Sequence, residues 1–394
     1  MSRKLYSYIK ALLPVVCWLS ATFVFAHPVD TLSLLFVGDL MQHKGQINAA
    51  RVSSGRYDYK DCFSYVSHEI KRADLAVGNL EVPLGGRPYT GYPAFSAPDE
   101  YLYAIRNAGF DVMLLSNNHC LDRGSRGLKR TVHMLDSLRM LHTGVFRDSL
   151  ERVNRYPLLV EKKGFRIVFL NYTYGTNGVK ANPPAKVNYI DKGQILKDVV
   201  KARLMRPDVI IACMHWGIEY QLLPRKQEKE LARWMIDLGV DHVIGSHPHV
   251  VQPLEVVSDS ITPERHLIAY SLGNFISNMS APNTDGGMVV KVVLKKVAGL
   301  TRMISSNYAF VWTSRPSING KGQYFVYPSN FERNLLNINE KTRFGRFLEQ
   351  NRNVVEKHSK GINEYFFLKK SHKKFAVSKI SHIFASLLKR KSTW

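Results

Sequence analysis

Several short apolar runs of the sequence end in side chains that can bind a metal ion or move a proton. In chain order these side chains are Asp39, Glu81, Asn118, His119, His215, His247 and His249. A mixture of carboxylate, amide and imidazole groups suits Mn²⁺, Fe²⁺, Zn²⁺ or Mg²⁺ better than Ca²⁺, and the histidines favour the transition metals among these, Mn²⁺, Fe²⁺ and Zn²⁺. Such a cation polarises an anionic substrate and lowers the pKa of bound water to about 7 in favourable cases. The residue types therefore predict a site for one or two divalent ions.

The runs before these residues have the length of β-strands, and several are apolar at nearly every position. That composition is typical of strands covered on both faces. Segments with helical spacing lie between them, at residues 99–108, 127–141 and 227–238. The alternation predicts an α/β architecture, in which polar residues beyond the ends of parallel strands meet at one edge of the sheet. The alternating segment 287–294 predicts an outer strand of a second sheet.

Two other kinds of catalytic site are missing from the sequence. There is no GxxxxGK[ST] loop for binding nucleotide phosphates and no Gly-x-Ser-x-Gly nucleophile turn. Three cysteines remain after residue 26, too few for a disulfide framework. The metal site is thus the chemistry that the sequence favours.

The first 26 residues have the pattern of an export signal. Arg3 and Lys4 give a basic start, residues 11–26 carry no charge, and Val24 and Ala26 are small residues suited to cleavage before His27. The apolar run is shorter than the roughly 20 residues of a typical membrane span. A cleaved leader and an uncleaved signal anchor both remain open. Either predicts an exported protein, periplasmic or otherwise extracytoplasmic, and the basic tail at residues 341–394 adds an expected association with the membrane.

The net charge of +23 is concentrated near the C-terminus, since residues 341–394 contribute +11 of it. Between Phe375 and Leu388 apolar residues recur at steps of three and four, which is helical amphipathicity. A basic amphipathic tail predicts contact with an anionic membrane surface, and a solvated terminal helix is the alternative. Nucleic acid is not an expected partner, because an exported protein rarely meets it and no recognition module is visible.

The chain divides into four predicted segments. These are a leader at 1–26, a main domain at 30–295, an accessory β-rich region at 296–340, and the basic tail at 341–394. Turn residues at Gly299, Pro316 and Gly320 support the accessory region.

Six motifs in a fixed order give the sequence a family resemblance. They are Gly38-Asp39-Leu40-Met41, Asn79-Leu80-Glu81, Ser116-Asn117-Asn118-His119, His215-Trp216-Gly217, Gly245-Ser246-His247-Pro248-His249 and Tyr270-Ser271-Leu272-Gly273-Asn274-Phe275. Over roughly residues 32–276 the sequence resembles the bacterial capsule-synthesis CapA family, which is named for poly-γ-glutamate. That family is similar to calcineurin-like metallophosphoesterases, so the resemblance implies a four-layer α/β/β/α sandwich.

The resemblance also implies roles for individual residues. It implies that the metal ligands are Asp39, Glu81, Asn118, His215, His247 and His249. His119 corresponds to the neighbouring histidine that contacts substrate. One position departs from the phosphoesterase pattern, because Met41 stands where a histidine ligand is usual, and a thioether is a poor ligand for such cations. A single metal ion is then the safer expectation, and the alternative is that His43 substitutes as a ligand from another direction.

Asp122 has two interpretations. It orients His119, three residues before it, for general acid–base catalysis, or it caps the helix that follows.

The resemblance and the residues together predict an exported metal-dependent hydrolase or transferase that acts on an anionic envelope or capsule polymer. A non-catalytic factor that binds such a polymer during assembly or export is the alternative. In either case a complex with a polymer synthase or exporter is a possible partner.

Overall fold

A computed structural model describes residues 30–52, 55–258 and 264–368. The predicted leader, and the basic tail from residue 369 onward, lie outside the described residues. Within the described part, no helix has both the length and the hydropathy to cross a membrane.

The described elements alternate strands and helices through the first 250 residues and are richer in strands thereafter. The strands are β1 (Asp30–Leu40), β2 (Leu75–Leu80), β3 (Val112–Leu114), β4 (Leu141–Thr143), β5 (Val145–Phe146), β6 (Leu158–Lys162), β7 (Phe165–Thr173), β8 (Lys186–Val187), β9 (Val209–His215), β10 (His242–Ser246), β11 (Leu254–Ser258), β12 (Arg265–Ala269), β13 (Asn274–Ile276), β14 (Gly286–Val297), β15 (Leu300–Ser314), β16 (Phe325–Pro328) and β17 (Asn363–Glu364). The helices are α1 (Lys44–Ala50), α2 (Ser67–Arg72), α3 (Asp99–Ala108), α4 (Gly124–Ser137), α5 (Ser149–Arg155), α6 (Lys192–Leu204), α7 (Lys226–Asp237), α8 (Pro316–Asn319) and α9 (Ile338–His358).

Two large sheets make up the described fold. The first has the strand order β16-β15-β14-β1-β2-β3-β4, with β13 beside β1 and β17 beside β15. The second has the order β11-β12-β10-β9-β7-β6. Strands β1 to β4 run parallel to one another, as do β7, β9, β10 and β12. Each sheet therefore gathers several C-terminal strand ends along one edge.

The two sheets pack face to face through apolar side chains. Leu34 and Phe36 of β1 lie in one buried cluster with Phe169 of β7 and Ile211 of β9. Successive side chains of a strand point to opposite faces, so the residues between them face outward. Complete burial of a Phe or Ile side chain contributes roughly 1.5–3 kcal/mol. This shared core fixes the position of one sheet against the other.

Helices cover the outer face of each sheet. Leu35 of β1 lies in a cluster with Leu128 of α4, and Val168 of β7 lies in another with Ile195 of α6 and Met235 of α7. The order of layers is helix, sheet, sheet, helix. The α/β/β/α sandwich expected from the sequence is confirmed.

The prediction for segment 287–294 is wrong in its placement. Strand β14 is an interior strand of the first sheet, antiparallel to both β1 and β15. Its alternation arises because Val290, Val292 and Leu294 are fully buried while Lys291 and Val293 are partly exposed. The strand also crosses residue 295, the predicted end of the main domain, and β15 and β16 continue the same sheet.

Candidate metal centre

The C-terminal ends of strands from both sheets meet at one edge of the sandwich. Asp39 is the penultimate residue of β1, and Glu81 directly follows β2 in the first sheet. His215 is the last residue of β9, and His247 directly follows β10 in the second sheet. Parallel strands direct residues at their C-terminal ends to a common crevice. Acidic groups from one sheet therefore face imidazoles from the other.

Asn79 holds the two acidic side chains of the cluster. Its Nδ2 donates to Asp39 Oδ1 at 2.8 Å and to Glu81 Oε2 at 3.3 Å. All three side chains are buried, with Asp39 and Glu81 at 0% exposure. One oxygen of each carboxylate is thus occupied, and the other is left to face the histidines.

The histidines surround the free carboxylate oxygens. His249 Nε2 lies 3.7 Å and His215 Nε2 lies 3.8 Å from Glu81 Oε1, while His249 Nδ1 lies 3.3 Å from Asp39 Oδ2. The ring of His247 lies 4.8 Å from that of His215 and 5.9 Å from that of His249, between centroids. Each imidazole is close to an acidic oxygen or to another imidazole.

Protein groups alone do not satisfy all the buried polar atoms of this cluster. Asp39 Oδ2, Glu81 Oε1 and His247 Nδ1 are buried and have no hydrogen-bond partner within the described residues. Burial, and after it the Asp39 carboxylate, raises the pKa of Glu81 well above its usual value. Burial lowers the pKa of His215 well below its usual value and that of His247 to about 3, so both rings are neutral. Neutral imidazole is the form that binds metals.

These residues fit a divalent cation. Two triads have ligand atoms that all lie within 4.8 Å of one another, and Glu81 belongs to both. The triads are Glu81, His247 and His249, and Asp39, Glu81 and His215. A buried carboxylate pair is costly without a compensating positive charge. Carboxylate oxygen and imidazole nitrogen are ligands that Zn²⁺, Mn²⁺ and Fe²⁺ accept.

Neighbouring polar groups orient two of the histidines. Asn274 Nδ2 donates to Thr284 O at 2.8 Å, which turns its Oδ1 toward His249 Nδ1 at 3.1 Å. His249 Nδ1 is then the protonated nitrogen, and Nε2 is left toward Glu81. Ser246 Oγ lies 2.9 Å from His215 Nδ1 and orients that ring in the same way. Such partners fix the tautomer and the ring orientation of metal-binding histidines.

Asn118 lies beside His215, and a later loop holds it there. Its Oδ1 is 2.9 Å from His215 Nε2, while its Nδ2 donates to Asn177 Oδ1 at 3.2 Å. Asn177 thereby turns the amide oxygen toward the cluster. Tyr174, in the same loop, places its ring 4.5 Å from that of His247 and covers the cluster from outside.

His119 and Asp122 form a pair next to the cluster. His119 Nδ1 lies 2.8 Å from Asp122 Oδ2, and Asp122 Oδ2 also accepts from Phe95 N at 2.9 Å. Helix α4 begins after Arg123, and no side chain caps it. Of the two interpretations of Asp122, the contacts support the one in which it orients His119.

Neither Met41 nor His43 joins the cluster. The Met41 side chain is buried in the apolar core, and its main-chain oxygen accepts from Gln46 Nε2 and Tyr101 Oη. His43 Nδ1 lies 3.3 Å from Asn278 N, and His43 belongs to neither triad. His43 is therefore not shown to take the place of the ligand that the sequence predicted to be missing at Met41.

The structure brings together the six ligands expected from the resemblance, with His119 and Asp122 beside them. The sequence allows Asn274 two interpretations, a hydrogen bond to the site or a turn residue, and its contact with His249 supports the first. Sequence reasoning did not assign roles to Asn79, Asn177 and Ser246, which also position this group. Asn79 and Ser246 lie inside the quoted motifs, which was the available signal. Asn177 lies in a loop with no such signal.

Known proteins resemble the chain in sequence. The model of the family described as "Bacterial capsule synthesis protein PGA_cap" matches residues 33–279. The "Capsule biosynthesis protein CapA" of Bacillus anthracis is 30% identical over 283 residues, which are 68% of this chain and 64% of that protein. The "PGA biosynthesis protein CapA" of Bacillus subtilis is 27% identical over 289 residues, 68% of this chain and 69% of that protein. The chain thus spans about two thirds of the length of these relatives.

Among solved structures, the calcineurin-like phosphoesterase YfkN from Bacillus subtilis is similar at a TM-score of 0.42 and 15% identity. The comparison covers 84% of this chain and 99% of that one.

Proposed function

The chain belongs to the bacterial capsule synthesis protein family PGA_cap, and from that premise we propose that it is a metal-dependent hydrolase or transferase. Its substrate is an anionic polymer of the capsule or cell envelope. The observation that carries this proposal is a buried cluster of carboxylates and histidines in which Asp39 Oδ2, Glu81 Oε1 and His247 Nδ1 have no hydrogen-bond partner among the described residues. A site arranged in this way needs a cation to balance it.

Each residue of the centre has a role in the proposal. Asp39, Glu81, Asn118, His215, His247 and His249 hold the metal, which is Mn²⁺, Fe²⁺ or Zn²⁺. Because Glu81 belongs to both triads, it is the residue that would be shared if two ions bind. When bound, the metal supplies Lewis acidity toward an anionic group.

His119 performs the proton transfer in this proposal. Asp122 holds its Nδ1 at 2.8 Å, so Nε2 is the atom that gives a proton to the leaving group or stabilises charge there. The ring packs edge-on against Phe95 at 4.7 Å, which limits its rotation.

A non-catalytic assembly factor is the second candidate, and Met41 favours it. A buried thioether at a ligand position weakens one metal site, and loss of a ligand is one way in which a hydrolase becomes a binding protein. The same pocket would then hold the polymer during export. A synthase or an exporter would be its partner.

We also propose that the protein lies outside the cytoplasm and at the membrane surface, and the predicted leader and basic tail support this.

Metal analysis of the purified protein tests the centre. After incubation with Mn²⁺, Fe²⁺ or Zn²⁺ and dialysis, we expect bound metal in the wild type. Asp39→Ala and His247→Ala should each weaken binding by at least about 100-fold, because loss of an outer partner alone costs 10–100-fold. His133→Ala, an exposed histidine on α4, is the matched control and should bind normally. Wild-type protein that stays metal-free with all three ions would refute the proposal.

A further inference from the structure

Arg315 is a buried cation that lacks an ion-pair partner among the described residues. Only 7% of the residue is exposed. Its Nη1 and Nη2 donate to the main-chain oxygens of Asn278 and Met279, and its Nε has no acceptor within the described residues. The Asp285 carboxylate acts on it through space, and Asp285 Oδ2 instead accepts from Trp312 Nε1 at 2.9 Å. A buried guanidinium in this state is costly unless an anion joins it.

Asn278 connects Arg315 to His43. The main-chain N–H of Asn278 points at His43 Nδ1 at 3.3 Å and has no other acceptor within the described residues. Gln46 Oε1 is also 3.3 Å from Nδ1, but it already accepts from His43 N at 2.8 Å. A main-chain N–H can only donate, so this contact favours the tautomer with the proton on Nε2. The His43 Nε2–H then has no hydrogen-bond acceptor among the described residues.

Ring contacts link His43 to His119, which lies next to the metal centre. Its ring packs edge-on against Phe95 at 5.1 Å, and Phe95 packs against His119 at 4.7 Å, between centroids. Burial lowers the pKa of His43 to about 4, and the charges of His249, His119 and Arg315 act in the same direction. His43 is therefore neutral, and its Nε2–H can donate to an anion.

We propose that His43 Nε2 and the Arg315 guanidinium bind an oxyanion of the substrate beside the metal centre, with Asn278 holding the two groups in register. The ligand is a carboxylate or phosphate group of the anionic polymer, at a position next to the reacting bond. Arg315 lies outside residues 33–279, the part matched by the family model. The accessory region thus supplies a group that recognises substrate. The polymer identity rests on the proposed function, whereas the anion site itself does not.

Titration calorimetry on the full chain loaded with Mn²⁺ tests this subsite, with inorganic phosphate and glutarate as separate probes. Arg315→Met and His43→Leu should each weaken binding of at least one probe by about tenfold or more, since hydrogen bonds to charged groups are the strong ones. Arg315→Lys should keep part of the affinity. Arg343→Met removes an exposed charge that also acts on Arg315, and it should leave affinity unchanged.

The outcomes separate the subsite from the proposed function. If the variants lose affinity for just one of the two probes, that probe identifies the bound oxyanion as phosphate or carboxylate. Either result supports the site. Unchanged affinity in both variants at wild-type metal content would overturn the subsite and leave the metal centre standing. An equal loss in Arg343→Met, or no binding of either probe to the wild type, would also overturn it. If Arg315→Met fails to fold, the affinities of His43→Leu and Arg315→Lys for the two probes test the subsite instead.

Discussion

At the residue scale, two of the metal-site histidines have unusual backbone conformations. His247 has φ +100° and His249 has φ +58°, in the region that favours glycine. Holding a non-glycine residue there costs of order 1–3 kcal/mol and persists only where the surroundings enforce it. The chain turns sharply around Pro248, which directs both imidazoles back toward Glu81. Strain at these positions is consistent with selection for the site over stability.

This strain gives a prediction for His247. In metal-free protein, His247→Gly should be more stable than His247→Ala by about 1 kcal/mol, because relief of strain exceeds the entropy that glycine adds to the unfolded chain. Urea unfolding in the presence of a chelator measures the difference. Neither variant should bind metal normally.

The matched control is Lys229 on the exposed face of α7. There Lys229→Gly should be less stable than Lys229→Ala by about 1 kcal/mol, the usual helical order. If alanine is as stable as glycine at position 247, the backbone there is not strained.

At the scale of elements, the sequence predicted most of what positions the site. Segment 99–108 coincides with α3, and 127–141 and 227–238 overlap α4 and α7. These agree because each helix buries one apolar stripe, and local spacing records that stripe. The apolar runs before Asp39 and His215 likewise became buried strands, since both of their faces are covered.

What local patterns could not supply was contact between distant segments. The alternation in β14 was visible, but its place between β1 and β15 depends on which strands pair. Asn177 contacts Asn118, which is 59 positions away in sequence, from a loop without periodicity. Whether Asp122 orients His119 or caps a helix depends on where α4 begins and where the His119 ring points. Each of these features depends on tertiary contacts that no local sequence pattern records.

At the scale of the whole molecule, the metal centre depends on both sheets. The carboxylates come from the first sheet and three histidines from the second, so the site exists only when the sandwich is assembled. A metal that binds only the folded state also stabilises it by mass action.

The proposed location of the protein in the cell gives a prediction at this scale. We expect protein from the native host to lie outside the cytoplasm and to begin at or near His27, because small residues at positions 24 and 26 suit cleavage there. Amino-terminal sequencing of each cell fraction measures this. Intact Met1 in the membrane fraction would favour a signal anchor, and intact Met1 in the cytosol would refute export.

Catalysis at this metal centre is the part of the proposed function that a single measurement tests most directly. The most direct measurement is product release from capsule, teichoic-type and peptidoglycan polymers by metal-loaded wild type and His119→Ala, with His133→Ala as the surface control. We predict release by the wild type and the control from at least one polymer. His119→Ala should be slower by about 10²–10⁴-fold at equal metal content, because general acid–base help is of that size. No release by the wild type from any polymer, or equal release by His119→Ala, would contradict catalysis at this centre through His119.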